Sequence, residues 1–278
     1  MAPHVPALPI QALFDQLGLF DHLLAVVAGM PRLFMVAQVA PFLAGSVVTG
    51  QLRMVLVFAC YLPVHPVILG QLPKGSVFDL TLLGHYGALV LKESLMGLVL
   101  GLLAGIAFWT VQSAGFLIDN QRGASMAEES DPMSGEQTTP TGAFLLQTMM
   151  YLFYTSGAFL AFLGLLYASY EIWPVPSLAP LAWSIEVPLL FAGRVAWLMS
   201  HMVLLAGPLV VACLLADISL GLVNRFASQL NVYVLAMPVK SAVASLLLVL
   251  YFGALAAKTP DLFAEVAADL QRLQGLLP

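Results

Sequence analysis

An all-helical chain built into a membrane is what this sequence predicts, and three observations carry the expectation. Only 9% of the 278 residues are Asp, Glu, Lys or Arg, where a soluble domain spends roughly 25% on them. Hydrophobic residues make up 60%, and they gather into runs that match the roughly 20 residues a helix needs to cross the hydrocarbon of a bilayer. Within those runs they are continuous, whereas the strands of a membrane barrel alternate apolar and polar residues over about ten positions. The same composition excludes other classes. A disordered chain needs low hydrophobicity and high charge, and ten basic against fifteen acidic residues leave no basic footprint for nucleic acid. The bilayer, or an assembly of equally apolar partners, is the solvent that fits.

The first residues, MAPHVPALPI, carry no Lys or Arg and are interrupted by Pro3, Pro6 and Pro9, so they do not have the form of a cleavable signal peptide. Residues 1–22 are expected to form an amphipathic segment, because Ile10, Leu13, Phe14, Leu17, Phe20 and Leu24 recur at three- and four-residue steps with Asp15 and Asp21 between them. Six runs follow that lack Asp, Glu, Lys and Arg: residues 33–52, 54–73, 94–118, 137–170, 195–216 and 241–257. Each is a candidate helix, and the last is marginal in length. Pro31, Pro41, Pro63, Pro66, Pro73, Pro188, Pro208 and Pro238 lie in or beside these runs. Each removes a backbone donor and clashes with the preceding turn, which predicts broken or re-entrant helices, tolerated only where protein or water satisfies the freed carbonyls. At the far end, residues 259–278 are expected to form a separate amphipathic helix, with Thr259 as cap, Pro260 in the first position, and Phe263, Val266, Leu270 and Leu273 opposite Asp261, Glu265, Asp269 and Arg272. This helix is expected to lie along a surface or a partner. Lys and Arg are too sparse in the connections to orient the chain by the positive-inside rule.

Four features bear on function. The most polar stretch runs from Gly115 to Gly142, with Asp119, Glu128, Glu129, Asp131 and Glu136 against a lone Arg122, and with Gly123, Pro132, Gly135 and Pro140 breaking regular structure. It reads either as a solvated acidic loop or as a segment that occupies or gates a pore. Just before it, Gly97, Gly101 and Gly105 repeat every four residues, a spacing that lets apolar helices approach closely. Lys92 beside Glu93, then Asp217, Arg225 and Lys240, are ionisable groups in apolar surroundings, expensive in lipid and expected to face a partner or water. Asp217 with Lys240 or Arg225 reads as a buried ion pair, or alternatively as the coupling site of an ion-driven secondary transporter. Finally, Trp109, Trp173, Trp183 and Trp197 fall near the ends of apolar runs, as interfacial anchors do.

Catalytic patterns are missing: the sequence has no HExxH, GxSxG or Walker motif. His4, His22, His65, His85 and His201 are scattered without ligand spacing, and Cys60 and Cys213 sit singly in apolar runs. The chain is therefore read as a non-enzyme with no metal site and no cofactor.

Two stretches carry a resemblance. The segment GFLIDNQRGASMAEESDP, followed by SYEIWPVPSL from Ser169 to Leu178, and the later stretch from Ala206 to Ser241 with Asp217, Leu220, Gly221, Leu222, Arg225, Gln229, Leu230, Asn231, Pro238 and Lys240, resemble the signatures of the export-apparatus proteins of type III secretion systems, the SctT family, whose flagellar counterpart is FliR. The resemblance covers most of the chain and is weakest before about Leu23. It implies a single export-gate domain of bent helical hairpins over residues 1–278, in the bacterial inner membrane within the basal body. It implies partnership with SctR-like and SctS-like subunits, with SctU-like and SctV-like proteins nearby, contact with membrane lipid, and passage of unfolded secreted substrates. It also implies that the stretch around Gly115, Asp119, Asn120, Gln121, Arg122 and Gly123 contributes a channel plug. Asp217, Arg225, Asn231 and Lys240, all within the second signature, are read from their own chemistry as buried polar pairing.

Overall fold

A computed structural model describes residues 18–43, 50–73, 80–123, 129–130, 137–178, 185–226 and 232–276. Helices dominate them: α1 Leu19–Val39, α2 Gly50–Tyr61, α3 His65–Gln71, α4 Leu80–Arg122, α5 Pro140–Thr155, α6 Ala158–Ile172, α7 Glu186–Phe226 and α8 Val232–Leu276. Between α4 and α5, β1 (Glu129–Ser130) pairs antiparallel with β2 (Gln137–Thr138), Glu129 opposite Thr138. Four helices, α1, α4, α7 and α8, are long and apolar enough to cross a membrane, and up to six spans result if the bent pairs α2–α3 and α5–α6 each count as one. The chain is thus an all-α polytopic membrane protein.

The helices break where glycine or a proline-bearing turn lets them, and run through most of the prolines. Between α2 and α3 the axis turns by 61° at Leu62–Val64, around Pro63, with Pro66 in the first turn of α3. The charge-free run 137–170 divides into α5 and α6, which meet at 73°. There Gly157 takes φ +81°, a left-handed conformation that glycine adopts without steric cost. Pro31 lies inside α1, Pro208 inside α7 and Pro238 inside α8, so the expectation that these residues interrupt their helices is corrected. Residues 259–276 likewise do not form a separate helix. Helix α8 continues through Thr259, whose hydroxyl donates back to Leu255 O, and through Pro260. Of the expected stripe, Leu270 and Leu273 are buried in the core of the same chain and Phe263 and Val266 pack against it, rather than on an outside surface or partner. At the other end α1 begins at Leu19, and the expected amphipathic face over residues 1–17 lies outside the described residues.

Helix α4 is the hub. It packs against α1, α5, α7 and α8, and its 43 residues extend about 65 Å at 1.5 Å per residue. The run 94–118 undershot it, because Lys92 and Glu93 marked a boundary in the sequence yet lie in its interior, both buried. Around α4 the main core centres on Phe42, Phe108, Phe153 and Phe162, with ring centroids 4.6 to 5.2 Å apart for the pairs they form with Phe42. Such offset and edge-on contacts suit the aromatic quadrupole. Trp173, expected at an interface, is instead fully buried beside this core, because its backbone carbonyl and its neighbours are drawn inward by two buried cations. A smaller cluster joins Ala114 and Ile118 of α4 to Leu205, Leu209 and Cys213 of α7 and Ala244 of α8.

Candidate functional site

Two polar nodes lie along α4, and each is assembled from distant parts of the chain. The upper node forms around Glu93, which is fully buried. Arg32 of α1 reaches it with Nε at 2.6 Å from Oε2 and Nη2 at 3.0 Å from Oε1, the bidentate geometry that a guanidinium offers a carboxylate. The remaining Arg32 protons go to Ser169 O (2.7 Å), Ser169 Oγ (3.0 Å) and Trp173 O (2.9 Å). All five guanidinium donors are therefore used. The Arg32 guanidinium also stacks 4.2 Å above the Tyr170 ring, whose hydroxyl donates to Gly29 O at 2.8 Å. Lys92 stands 2.7 Å from Glu93 Oε1 and donates to the carbonyls of Pro174, Val175 and Ser177 at 2.8 to 3.0 Å.

This geometry explains how residues 173–177, which follow α6 without regular structure, are held against the core. Their carbonyls have no ladder to join, and a buried carbonyl without a partner is costly. Two cations supply the missing donors, and Glu93 offsets part of their charge. Lys92 and Glu93 are legible in the sequence as polar residues in an apolar run. Arg32 is not: it stands 61 residues from Glu93 and 137 from Ser169, so no local period points to it.

The second node is built on Asp119, again fully buried. Its Oδ1 accepts from Arg122 Nε (2.8 Å) and from Thr141 Oγ1 (2.6 Å), and its Oδ2 accepts from Thr141 N (2.7 Å). Arg122 Nη2 in turn donates to Thr141 Oγ1 at 2.9 Å. Thr139 caps α5 with its side chain accepting from Gly142 N, and Pro140 occupies the first helical turn. The Asp119 carboxylate thus supplements that cap from another helix, at the end where a helix dipole favours negative charge. Gly115 completes the clamp by contact: a Cβ on it would stand 2.5 Å from Gly142 Cα and 2.8 Å from Thr141 C. The backbones of α4 and α5 meet there with no room for a side chain.

The polar stretch is therefore shorter and differently built than the sequence implies. Residues Gly115, Asp119, Asn120, Gln121 and Arg122 belong to the last turns of α4 rather than to a loop; glycine in that helix is retained by close packing, which outweighs its low helix propensity. Asn120 is exposed and Gln121 half-buried. Gly123, at φ +78°, ends α4. Only residues 123–139 connect the two helices, and of these 124–128 and 131–136 lie outside the described residues, with Glu128, Asp131 and Glu136 among them.

The small-residue spacing divides by role. A Cβ at Gly97 would meet Arg32 O at 2.3 Å, and one at Gly101 would meet Val39 Cβ at 3.2 Å and Val36 Cα at 3.3 Å, so both glycines seat α1 against α4. Gly105 instead makes room for the indole of Trp109 on its own helix, 2.7 Å from where a Cβ would be. Farther along, Lys240 of α8 lies 3.1 and 3.2 Å from the two carboxylate oxygens of Asp217 on α7. Asp217 keeps 38% of its side-chain surface exposed, so this pair is half in the open. Arg225 is exposed in the last turn of α7, and Asn231 lies outside the described residues. A link not foreseen from the sequence ties the opposite ends of these helices: Arg194 of α7 pairs with Asp269 and, at 3.5 Å, with Glu265 of α8. No group of three metal-binding side chains occurs among the described residues.

Comparison with known proteins gives this architecture relatives. Residues 23–266 match the family model described as bacterial export proteins, family 1. The chain is 42% identical over 223 residues to Yop proteins translocation protein T of Yersinia pestis, covering 80% of this chain and 83% of that protein. It is 32% identical over 238 residues to the surface presentation of antigens protein SpaR of Salmonella typhimurium, covering 84% of each. Flagellar biosynthetic protein FliR of Bacillus subtilis is 33% identical over 198 residues, covering 69% of this chain and 74% of that protein.

Proposed function

This chain belongs to the bacterial export proteins, family 1, and from that premise we propose that it is a structural and gating subunit of a type III secretion export gate in the bacterial inner membrane. Its relatives are secretion and flagellar export components, which gives it a role in an export apparatus. The finer reading is that its helices form part of the conduit for unfolded secretion substrates, together with SctR-like and SctS-like subunits and beside SctU-like and SctV-like proteins. The segment 123–139 acts as a plug in that conduit, and Gly115, Asp119, Arg122 and Gly123 hold its base.

One observation supports the plug reading above the others. The Asp119 clamp joins α4 and α5 on either side of the segment through buried, charge-assisted hydrogen bonds, a frame that would stay fixed if a plug between them were displaced. A gate needs that combination: a seal that can open without unfolding its frame. The alternative of a secondary transporter using Asp217 and Lys240 gains less support, because the Asp217 carboxylate is already engaged by a cation on both oxygens.

The test removes the plug and spares the clamp. Deleting residues 124–136, with a short glycine linker and with Asp119, Arg122 and Thr141 retained, is expected to raise ion leakage in cells carrying the assembled apparatus while secretion persists. Unchanged leakage together with normal secretion would sink the plug reading. Extraction in mild detergent is expected to bring out two other small hydrophobic proteins with the chain; a chain that emerges alone would count against the gate.

A further inference from the structure

The segment α2–α3 lies back along α1 and is tied to it by polar contacts at both ends. Near the end of α1, Gln38 Oε1 accepts from Arg53 in the first turn of α2. Near its beginning, His22 Nδ1 is 2.9 Å from His65 Nε2 at the start of α3. The two imidazoles stack with centroids 5.2 Å apart and planes 24° from parallel. His65 Nδ1 is in turn 2.9 Å from the Tyr61 hydroxyl. Between these ties the contact is apolar and close: a Cβ at Gly29 would stand 2.3 Å from Ile68 Cδ1 and 3.0 Å from the Tyr61 ring.

The chemistry of the two ties differs. An arginine and an amide keep their hydrogen bond across the physiological pH range. Two imidazoles joined nitrogen to nitrogen need one proton between them and a lone pair to receive it. Such a pair tolerates no charge or one; when both rings are cationic, each facing nitrogen carries a proton, the bond is lost and the charges repel. Histidine is the side chain whose ordinary pKa is about 6.5, and of two adjacent imidazoles the second takes its proton in more acid solution than the first, because like charges oppose it. Both rings keep part of their surface uncovered by the chain. Among the described residues, the Tyr61 hydroxyl of α2 contacts the pair and Asp21 adjoins His22 on α1; farther out, Tyr86 of α4, with the His85 ring edge to face against it, lies within electrostatic reach of Asp21. Each proton the pair takes up puts a positive charge beside the other ring, and like charges disfavour the second.

We propose that the His22–His65 contact is a pH-sensitive fastening of the bent α2–α3 segment to α1: closed while the pair carries at most one proton, released at that end when both rings are protonated. The Arg53–Gln38 tie at the other end and the Ile68 seat between the two ties keep the segment attached, so release loosens the start of α3 and does not unfold the chain. The export component would then respond to acidification through a segment remote from the Asp119 clamp.

Hydrogen–deuterium exchange on the full chain in nanodiscs, corrected for intrinsic rates at each pH, tests this. Amides of residues 62–73 are expected to lose protection about fivefold on going from pH 7.5 to pH 5.0, the effect of losing one net hydrogen bond, and to regain it on return. Peptides from α4 should not change. His22→Asn and His65→Gln should each abolish the pH dependence, and His85→Asn should preserve it. Equal protection of residues 62–73 at both pH values in the unmodified chain overturns the proposal, as does a pH effect that survives in both His22→Asn and His65→Gln.

Discussion

The two halves of the molecule meet their surroundings in opposite ways. Around α4, with α1, α5 and α6, polar groups are fully buried and saturated with partners: Arg32, Lys92, Glu93 and Asp119 are each no more than 3% exposed. The most apolar window of α4 is 67% buried within the chain, whereas that of α7 is 22% buried and that of α8 only 6%. Val203, Leu204, Val211, Leu214, Leu215, Ile218 and Leu222 of α7, and Leu246, Val249 and Leu250 of α8, remain exposed, and the ion pair between these helices is half open. An apolar surface on that scale marks contact with lipid or other proteins. The first half therefore satisfies its own polar groups, with Leu52, Val55 and Leu160 left exposed on its outside, while the hairpin α7–α8 depends on its environment along most of its length.

That contrast yields measurable expectations. Glu93→Leu strikes the self-contained half hardest, since it leaves Arg32 and Lys92 buried without their counter-charge. A loss of about 3–5 kcal/mol is expected, as for other buried pairs broken on one side, seen as failure of the chain to accumulate in membranes. Restoring charge balance with Arg32→Met in the same chain should recover part of it; no recovery would mean that Arg32 and Glu93 do not interact. Next, Gly115→Leu should separate α4 from α5 and cost about 2–3 kcal/mol, the usual range for overpacking, with increased protease cleavage between residues 123 and 139. Cleavage at the unmodified rate would argue against close contact there. Leu214→Glu on the hairpin should leave the melting of the detergent-solubilised chain within about 0.5 kcal/mol, as for surface changes, yet reduce recovery of co-purifying proteins. Equal recovery would remove the distinction between the halves. The mildest change is Lys240→Met, where a pair this exposed should be worth about 1 kcal/mol or less, read as a melting shift of a few degrees at most.

The sequence was informative where a feature is local and poor where it is not. Helical, membrane-type structure followed from continuous apolar runs, which need no knowledge of partners. Charges mark helix ends only where they stay solvated: Lys92 and Glu93 sit inside α4 because partners from elsewhere neutralise them. Prolines misled in the same way, since Pro208 and Pro238 lie in long helices, while the sharp turn between α5 and α6 falls at Gly157, a residue with nothing in its sequence to distinguish it from the other glycines. For the polar node at the end of α4, Asp119 and Arg122 were visible as an i, i+3 pair, yet their common partner Thr141 was not, being 22 residues from Asp119.

The ammonium of Lys92 among three carbonyls has a bearing on biogenesis. The carbonyl of Trp173 waits for the guanidinium of α1, and those of Pro174, Val175 and Ser177 for the ammonium of α4, so the ribosome has to deliver the first two long helices before the later turn can settle. Maturation is thereby ordered from the amino terminus onward, and a chain stalled before Ser169 should stay protease-sensitive around α1 even when α4 is already inserted.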